Sequence, residues 1–117
     1  MRVAGLSWKT ELRDGALVVA VSGLIDETTV VDFAEILGRH AENCGGTMVV
    51  DLSGIASMSS RGLRALSLAQ RRGAKAGTQI RLARPNPALR EQLSISRYDI
   101  LFPVAETIED ALKLGDN

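Results

Sequence analysis

The N-terminal segment of the chain alternates. Residues 6–12, LSWKTEL, switch between apolar and polar side chains, and residues 16–22, ALVVAVS, are rich in β-branched types. Arg13-Asp14-Gly15 between them has the composition of a tight turn, so the two segments are predicted to form a β-hairpin that Gly23 closes. The period then changes. Val30, Phe33, Leu37 and Ala41 recur at helical spacing, which predicts a helix over about 27–43 with Asp26 as N-cap and Gly45-Gly46 as its stop.

Residues 47–52, TMVVDL, form a short apolar run without alternation, as expected of a strand covered on both faces. From Ser60 the pattern is helical to about Ala76, and Gly77 ends it. A strand over 79–83 follows, then a loop of Arg84-Pro85-Asn86-Pro87, a helix over 87–94, a short strand near 100–102 and a closing helix from Glu106 to Leu114. This order predicts one α/β domain: a mixed, mostly parallel sheet of about five strands begun by an N-terminal hairpin, with about four helices packed on it through right-handed crossovers. Binding sites in such sheets favour the loops beyond the carboxyl ends of the strands, which is where residues 53–60 fall.

At 117 residues the chain suits one core, and 45% hydrophobic with 24% charged residues exclude a disordered class. Fourteen basic residues balance fourteen acidic ones, so no overall field attracts nucleic acid or an anionic membrane. The start of the chain has no apolar signal-peptide core and no run reaches membrane-spanning length, which makes a cytoplasmic location the expectation. Cys44 is a lone thiol and His40 stands on the polar side of its helix with no nucleophile beside it in sequence. No Walker A loop, H-E-x-x-H, dinucleotide turn or G-x-S-x-G framing is present, so a non-enzyme without cofactor or metal is expected.

The chemistry that remains is the stretch DLSGIASMSSRGLRAL, residues 51–66. A serine at the start of a helix can accept a hydrogen bond from an unpaired N–H of the first turn, and Ser59 or Ser60 would serve as such a cap. Arg61 adds positive charge where the helix dipole is already positive, and an anion would relieve it. A phosphate on Ser60 would meet free N–H groups and the Arg61 guanidinium. Counting at 100° per residue puts Leu63, Leu66, Ala69 and Gly73 on a core face, and Arg61, Arg64, Arg71, Arg72 and Lys75 on the other, with Leu68 among them. A solvated face explains the charges alone; next to the serine turn they also suit an acidic, partly apolar protein patch.

SGLIDETT after a hairpin, followed by VVDLSGIASMSSRGLRAL and a strand after a long helix, resembles the bacterial anti-sigma factor antagonists, whose fold is the STAS domain. The resemblance runs from about Trp8 to Leu114. It implies a partner-switching module whose unphosphorylated form binds an anti-sigma factor, often itself an ATP-dependent serine kinase, and whose phosphorylated form releases it. A metal-dependent serine phosphatase restores binding. The acceptor maps to Ser60, with Ser59 and Ser57 as alternatives. The implied partner surface is Asp26, Ser57, Met58, Ser59, Arg61, Gly62, Arg64, Leu68 and Arg71. Two positions depart from the pattern of that family: Ser59 stands where an aspartate is usual, and Arg61 where a small residue is usual. STAS domains also serve as subunits of lipid-transport ABC systems, in stress-signalling assemblies and at the cytoplasmic ends of anion transporters. The adaptor reading keeps Ser60 as a plain cap, and the oligomeric state is left open.

Overall fold

A computed structural model describes residues 2–3 and 5–113. Strand β1 (Arg2–Val3) pairs with the outer edge of β2 (Leu6–Arg13), and β2 turns into β3 (Ala16–Ile25) through Asp14 and Gly15. Both turn residues take left-handed backbone, φ 52° and 80°, the geometry that lets a two-residue loop follow the strand twist. Gly23 does not close the hairpin. A Cβ there would stand 2.4 Å from the Gly5 carbonyl oxygen, so glycine lets that backbone lie against β3 while the strand runs on to Ile25.

After β3 come α1 (Val30–Cys44), β4 (Thr47–Met58), α2 (Ser60–Ala74), β5 (Gln79–Ala83), α3 (Pro87–Ile95), α4 (Tyr98–Leu101), β6 (Val104–Ala105) and α5 (Ile108–Lys113). The sheet order is β1-β2-β3-β4-β5-β6, antiparallel up to β3 and parallel beyond it. The expected α/β class and mixed sheet hold, with six strands and five helices among the described residues.

The core is divided unequally by the sheet. Val19, Val21, Met48, Val50, Leu52 and Leu82 pack with Phe33 and Leu37 of α1, Leu63 and Leu66 of α2, Leu89 and Leu93 of α3, and Phe102. The smaller cluster unites Val18, Val49 and Ala83 with Ile108 and Ala111 of α5. Arg81 is buried, and its Nη1 donates to the carbonyls of Ala111 and Leu112, both at 3.0 Å, satisfying the last turn of α5.

Several boundaries differ from expectation. Helix α1 starts at Val30 rather than 27, because the Asp26 carbonyl accepts from Thr29 N–H (3.2 Å) and Val30 N–H (2.9 Å) in a turn that precedes the helix. Strand β4 runs twelve residues, well past Leu52. Its register against β3 shifts between Asp51 and Gly54, and Asp51 Oδ1 accepts the Ser53 N–H at 3.0 Å across that bulge. Helix α2 ends at Ala74, two residues early.

The strand expected near 100–102 is instead helix α4, with the strand displaced to Val104–Ala105. Phe102 is the buried residue of that segment, and its ring stacks on Tyr98 with centroids 6.4 Å apart. Helix α5 opens at Ile108, where Thr107 Oγ1 accepts from Asp110 N–H at 3.0 Å; Leu114 lies outside the described residues.

Thr78 ties the two long helices to the sheet. Buried at the α2–β5 connection, its hydroxyl donates to the Ala41 carbonyl at 2.6 Å and accepts from Gly45 N–H at 2.9 Å. Thr78→Val keeps the shape and leaves both backbone groups without a partner. The expected loss is about 1–3 kcal/mol, read in urea as a lower midpoint with an unchanged slope.

Candidate partner-binding site

The serine turn has no loop before it. Strand β4 reaches Met58, Ser59 is the hinge, and α2 begins at Ser60. The strand end is pinned from two sides. Towards β3, Met58 pairs with Ile25, and Ser59 N–H donates to the Ile25 carbonyl at 2.9 Å. Towards α3, Gln92 Nε2 donates to the Met58 carbonyl at 2.6 Å, and Asn86 Nδ2 donates to the carbonyls of Ile55 and Ala56 at 3.3 and 2.9 Å. Asn86 also caps α3, its Oδ1 accepting from Leu89 N–H at 2.7 Å.

The two adjacent serines have different tasks. Ser59 has extended backbone, φ −71° and ψ 167°, and its Oγ accepts the Gly62 N–H at 3.2 Å, so it is the N-cap. Ser60 is the first helical residue and is exposed. Its hydroxyl stands at the positive end of a fifteen-residue helix, in a first turn that contains no acidic side chain. Ser57 is exposed one residue before the end of the strand.

Two of the expected contact residues face inward. Met58 is 4% exposed, and Gly62 is buried against it: a Cβ at Gly62 would stand 2.4 Å from Met58 Cγ and 2.7 Å from Ile25 Cγ2. Glycine is therefore required by close packing of the helix start on the strand ends. Both residues shape the surface and offer it no side chain. Arg61, Arg64, Leu68 and Arg71 are exposed, as expected.

Arg72 leaves the basic stripe. It reaches across α1, with Nε 2.5 Å from Glu42 and Nη1 3.6 Å from Glu35, over the bare backbone of Gly38. The Glu42 hydrogen bond raises the guanidinium pKa further, and the same contact lowers that of Glu42. Arg61, Arg64, Arg71 and Lys75 have no ion pair among the described residues. Their charge faces outward around Leu68, which is 41% exposed.

Asp26 stands at the same end of the sheet, one residue beyond Ile25. It does not cap α1; that position is Thr29, which makes no side-chain cap bond. Instead Asp26 Oδ1 accepts from Thr28 Oγ1 at 2.7 Å and from Thr28 N–H at 2.9 Å. These bonds, the hydroxyl first, hold its carboxyl below the usual carboxylate range. Asp26 thus presents a fixed negative charge beside the cationic start of α2.

Leu24 and Val31, 49% and 75% exposed, were not anticipated at this end. For Val31 the sequence carried a signal, since the neighbouring Val30 already falls on the core-facing spacing of α1 with Phe33 and Leu37; for Leu24 it carried none. His40 Nδ1–H donates to the Ile36 carbonyl at 2.7 Å, and Cys44 Sγ lies 3.5 Å from the Thr47 carbonyl. Among the described residues no group of three His, Cys, Asp or Glu is placed to hold a metal, and no helix is long and apolar enough to cross a membrane.

The fold is thus a mixed sheet entered by a hairpin, with a hydroxyl-bearing strand-to-helix junction exposed at its carboxyl end. Residues 7–111 match the STAS domain family, and the chain belongs to it. BtrV of Bordetella bronchiseptica, described as a candidate anti-sigma factor antagonist, is 26% identical over 98 residues, covering 84% of each chain. An anti-sigma factor antagonist from Mycobacterium paratuberculosis superposes with a TM-score of 0.78 at 29% identity, over 96% of this chain and 95% of that one. Bacillus SpoIIAA, solved in its phosphorylated form, shares the fold, with a TM-score of 0.64 at 19% identity over 92% of this chain and 97% of its own.

The division of labour between the serines is open to test by stability. Ser59→Ala removes the cap and is expected to cost about 1 kcal/mol. Ser60→Ala, at an exposed position whose side chain makes no hydrogen bond among the described residues, is expected to stay within about 0.5 kcal/mol of wild type. Thermal unfolding of the two variants side by side separates them.

Proposed function

We propose that this chain is an anti-sigma factor antagonist, a binding module controlled by phosphorylation of Ser60. The observation that carries the reading is the exposure of Ser60 at the first position of α2 while the neighbouring Ser59 does the capping. A hydroxyl free of structural duty can gain and lose a phosphate without unfolding the helix. The relatives support it: proteins similar over nearly the whole chain are named as anti-sigma factor antagonists, and one has been solved in a phosphorylated form.

The partner is an anti-sigma factor that binds ATP and acts as the serine kinase, with a metal-dependent serine phosphatase reversing the modification. Its contact surface comprises Ser57, Ser60, Arg61, Arg64, Leu68 and Arg71, flanked by Asp26 and by the exposed Leu24 and Val31. A partner patch of acidic rim and apolar centre fits such a surface. A phosphate brings about −1.5 to −2 charges to the middle of it. The group is comfortable in the free protein, where the helix dipole and Arg61 face it and water covers the rest. Docked against an acidic patch it meets like charge and loses that water, so one modification favours the separated state.

Arg61 sets the specificity of the pair. Its bulk and charge next to the acceptor require a partner with a carboxylate or a wide entry at that point.

The test uses immobilised wild type, Ser60→Ala and Ser60→Asp in lysate of the native organism, followed by titration of the recovered ATP-binding protein. Wild type and Ser60→Ala are expected to bind it alike, and Ser60→Asp roughly thirtyfold or more weakly. Equal binding by all three contradicts the switch and leaves a constitutive adaptor.

A further inference from the structure

The backbone groups of β5 alternate between its two neighbours. Gln79 N–H donates to the Gly46 carbonyl on the β4 side, whereas Leu82 N–H donates to the Pro103 carbonyl and Arg84 N–H to the Ala105 carbonyl on the β6 side, all at 2.9 Å. By that alternation the N–H and C=O of Ile80 point to the β6 side. The pairing with β6 begins only at Leu82, and these two groups of Ile80 have no hydrogen-bond partner among the described residues.

The sequence stops the ladder at this point. One step further, the donor for the Ile80 carbonyl would be the nitrogen of Pro103, which carries no hydrogen. The acceptor for its N–H would be the Leu101 carbonyl, which lies in α4 and accepts from Gln70 Nε2 at 3.0 Å instead. Ile80 is 3% exposed, and an unpaired backbone amide so well covered is rare in folded proteins. It lines a groove of about 550 Å³ beside α2, together with Gln70, Arg71, Ala74, Gln79 and Pro103.

We propose that this groove receives the carboxyl-terminal end of another protein's chain, added to β5 as a short parallel strand. One peptide carbonyl accepts the Ile80 N–H, and the N–H two residues further on donates to the Ile80 carbonyl. A donor and an acceptor on one strand residue are the pair that an extended peptide complements.

The walls set the direction of the strand and require it to end. Helix α2 runs down to its connection with β5, so Ala74 and Gln79 lie at one end of the groove, and Gln70 with Pro103 at the other. Pro103 and the Gln70–Leu101 bond close that second end, so an entering chain terminates there. Arg71 stands beside it, exposed and without an ion pair among the described residues. The Arg81 guanidinium is held on the other face of the sheet by the Ala111 and Leu112 carbonyls. Arg71 is therefore the cation that meets a terminal carboxylate, in a charge-assisted pair.

The experiment follows the isotope-labelled full chain by amide NMR. It is titrated to roughly 1 mM with a pool of N-acetylated pentapeptides randomised over Val, Ile, Thr and Ser, once with free and once with amidated carboxyl ends. With the free-acid pool the Ile80 amide resonance is expected to move downfield, as an N–H that gains an acceptor does, with an apparent Kd below about 1 mM. Amidation is expected to weaken binding roughly tenfold. Arg71→Gln, at an exposed position, is expected to weaken the free-acid pool by the same factor and to remove the difference between the pools. An Ile80 resonance that stays in place overturns the proposal. Equal binding of both pools by wild type also overturns it, because an internal segment would then serve as well as a chain end.

Discussion

The hydrogen bond from Ser59 N–H to the Ile25 carbonyl fixes the point at which strand becomes helix. Everything presented at the carboxyl end of the sheet depends on it. Because β3 and β4 run parallel, the ends of both strands arrive at the same level, and Met58 packs beside Ile25 with Gly62 closing over them. No side chain fits at Gly62, so the helix start rests directly on the strand ends. Gln92 and Asn86 hold the other flank of β4 by its carbonyls. The result is a helix N-terminus with little freedom to move, anchored by a 2.9 Å bond on one side and a 2.6 Å bond on the other.

Rigidity of this kind suits a switch that works by charge alone. If the turn could remodel, a phosphate on Ser60 would be absorbed by local rearrangement; held in place, it must be met by whatever docks there. The cap bond belongs to Ser59, so the proposed modification of its neighbour would leave that bond in place. Arg72 contributes indirectly. By bridging Glu35 and Glu42 it locks α1 to α2 and leaves the remaining cations of α2 facing outward. The exposed stripe is thus smaller than a helical wheel suggests and is framed by the anionic turn at Asp26.

Periodicity made much of this legible. Alternation and helical spacing located the hairpin, both long helices and the core face of α2, and the hydroxyl cluster marked the junction. Four features escaped for identifiable reasons. Along β4 the bulge at Asp51–Gly54 breaks the two-residue period, so that Leu52, Ile55 and Met58 are buried every third residue and SGIASM reads as loop. The stretch Tyr98 to Leu101 has the composition of a strand, yet Phe102 takes the buried place and the apolar Ile100 is left 74% exposed. Arg72 was assigned to the outer face by angle, which says nothing of how far a guanidinium reaches. The choice between Ser59 and Ser60 as cap lies in backbone angles that two adjacent serines do not encode.

Localisation of the phosphate tests the central claim most directly. The chain is isolated from its native organism, or treated with the ATP-binding partner and ATP, and fragmented by mass spectrometry to assign the modified atom. The account requires phosphate on Ser60, with Ser59 unmodified because its hydroxyl is engaged in the cap. Phosphate on Ser57 or Ser59, or a chain that stays unmodified beside an active kinase, contradicts it.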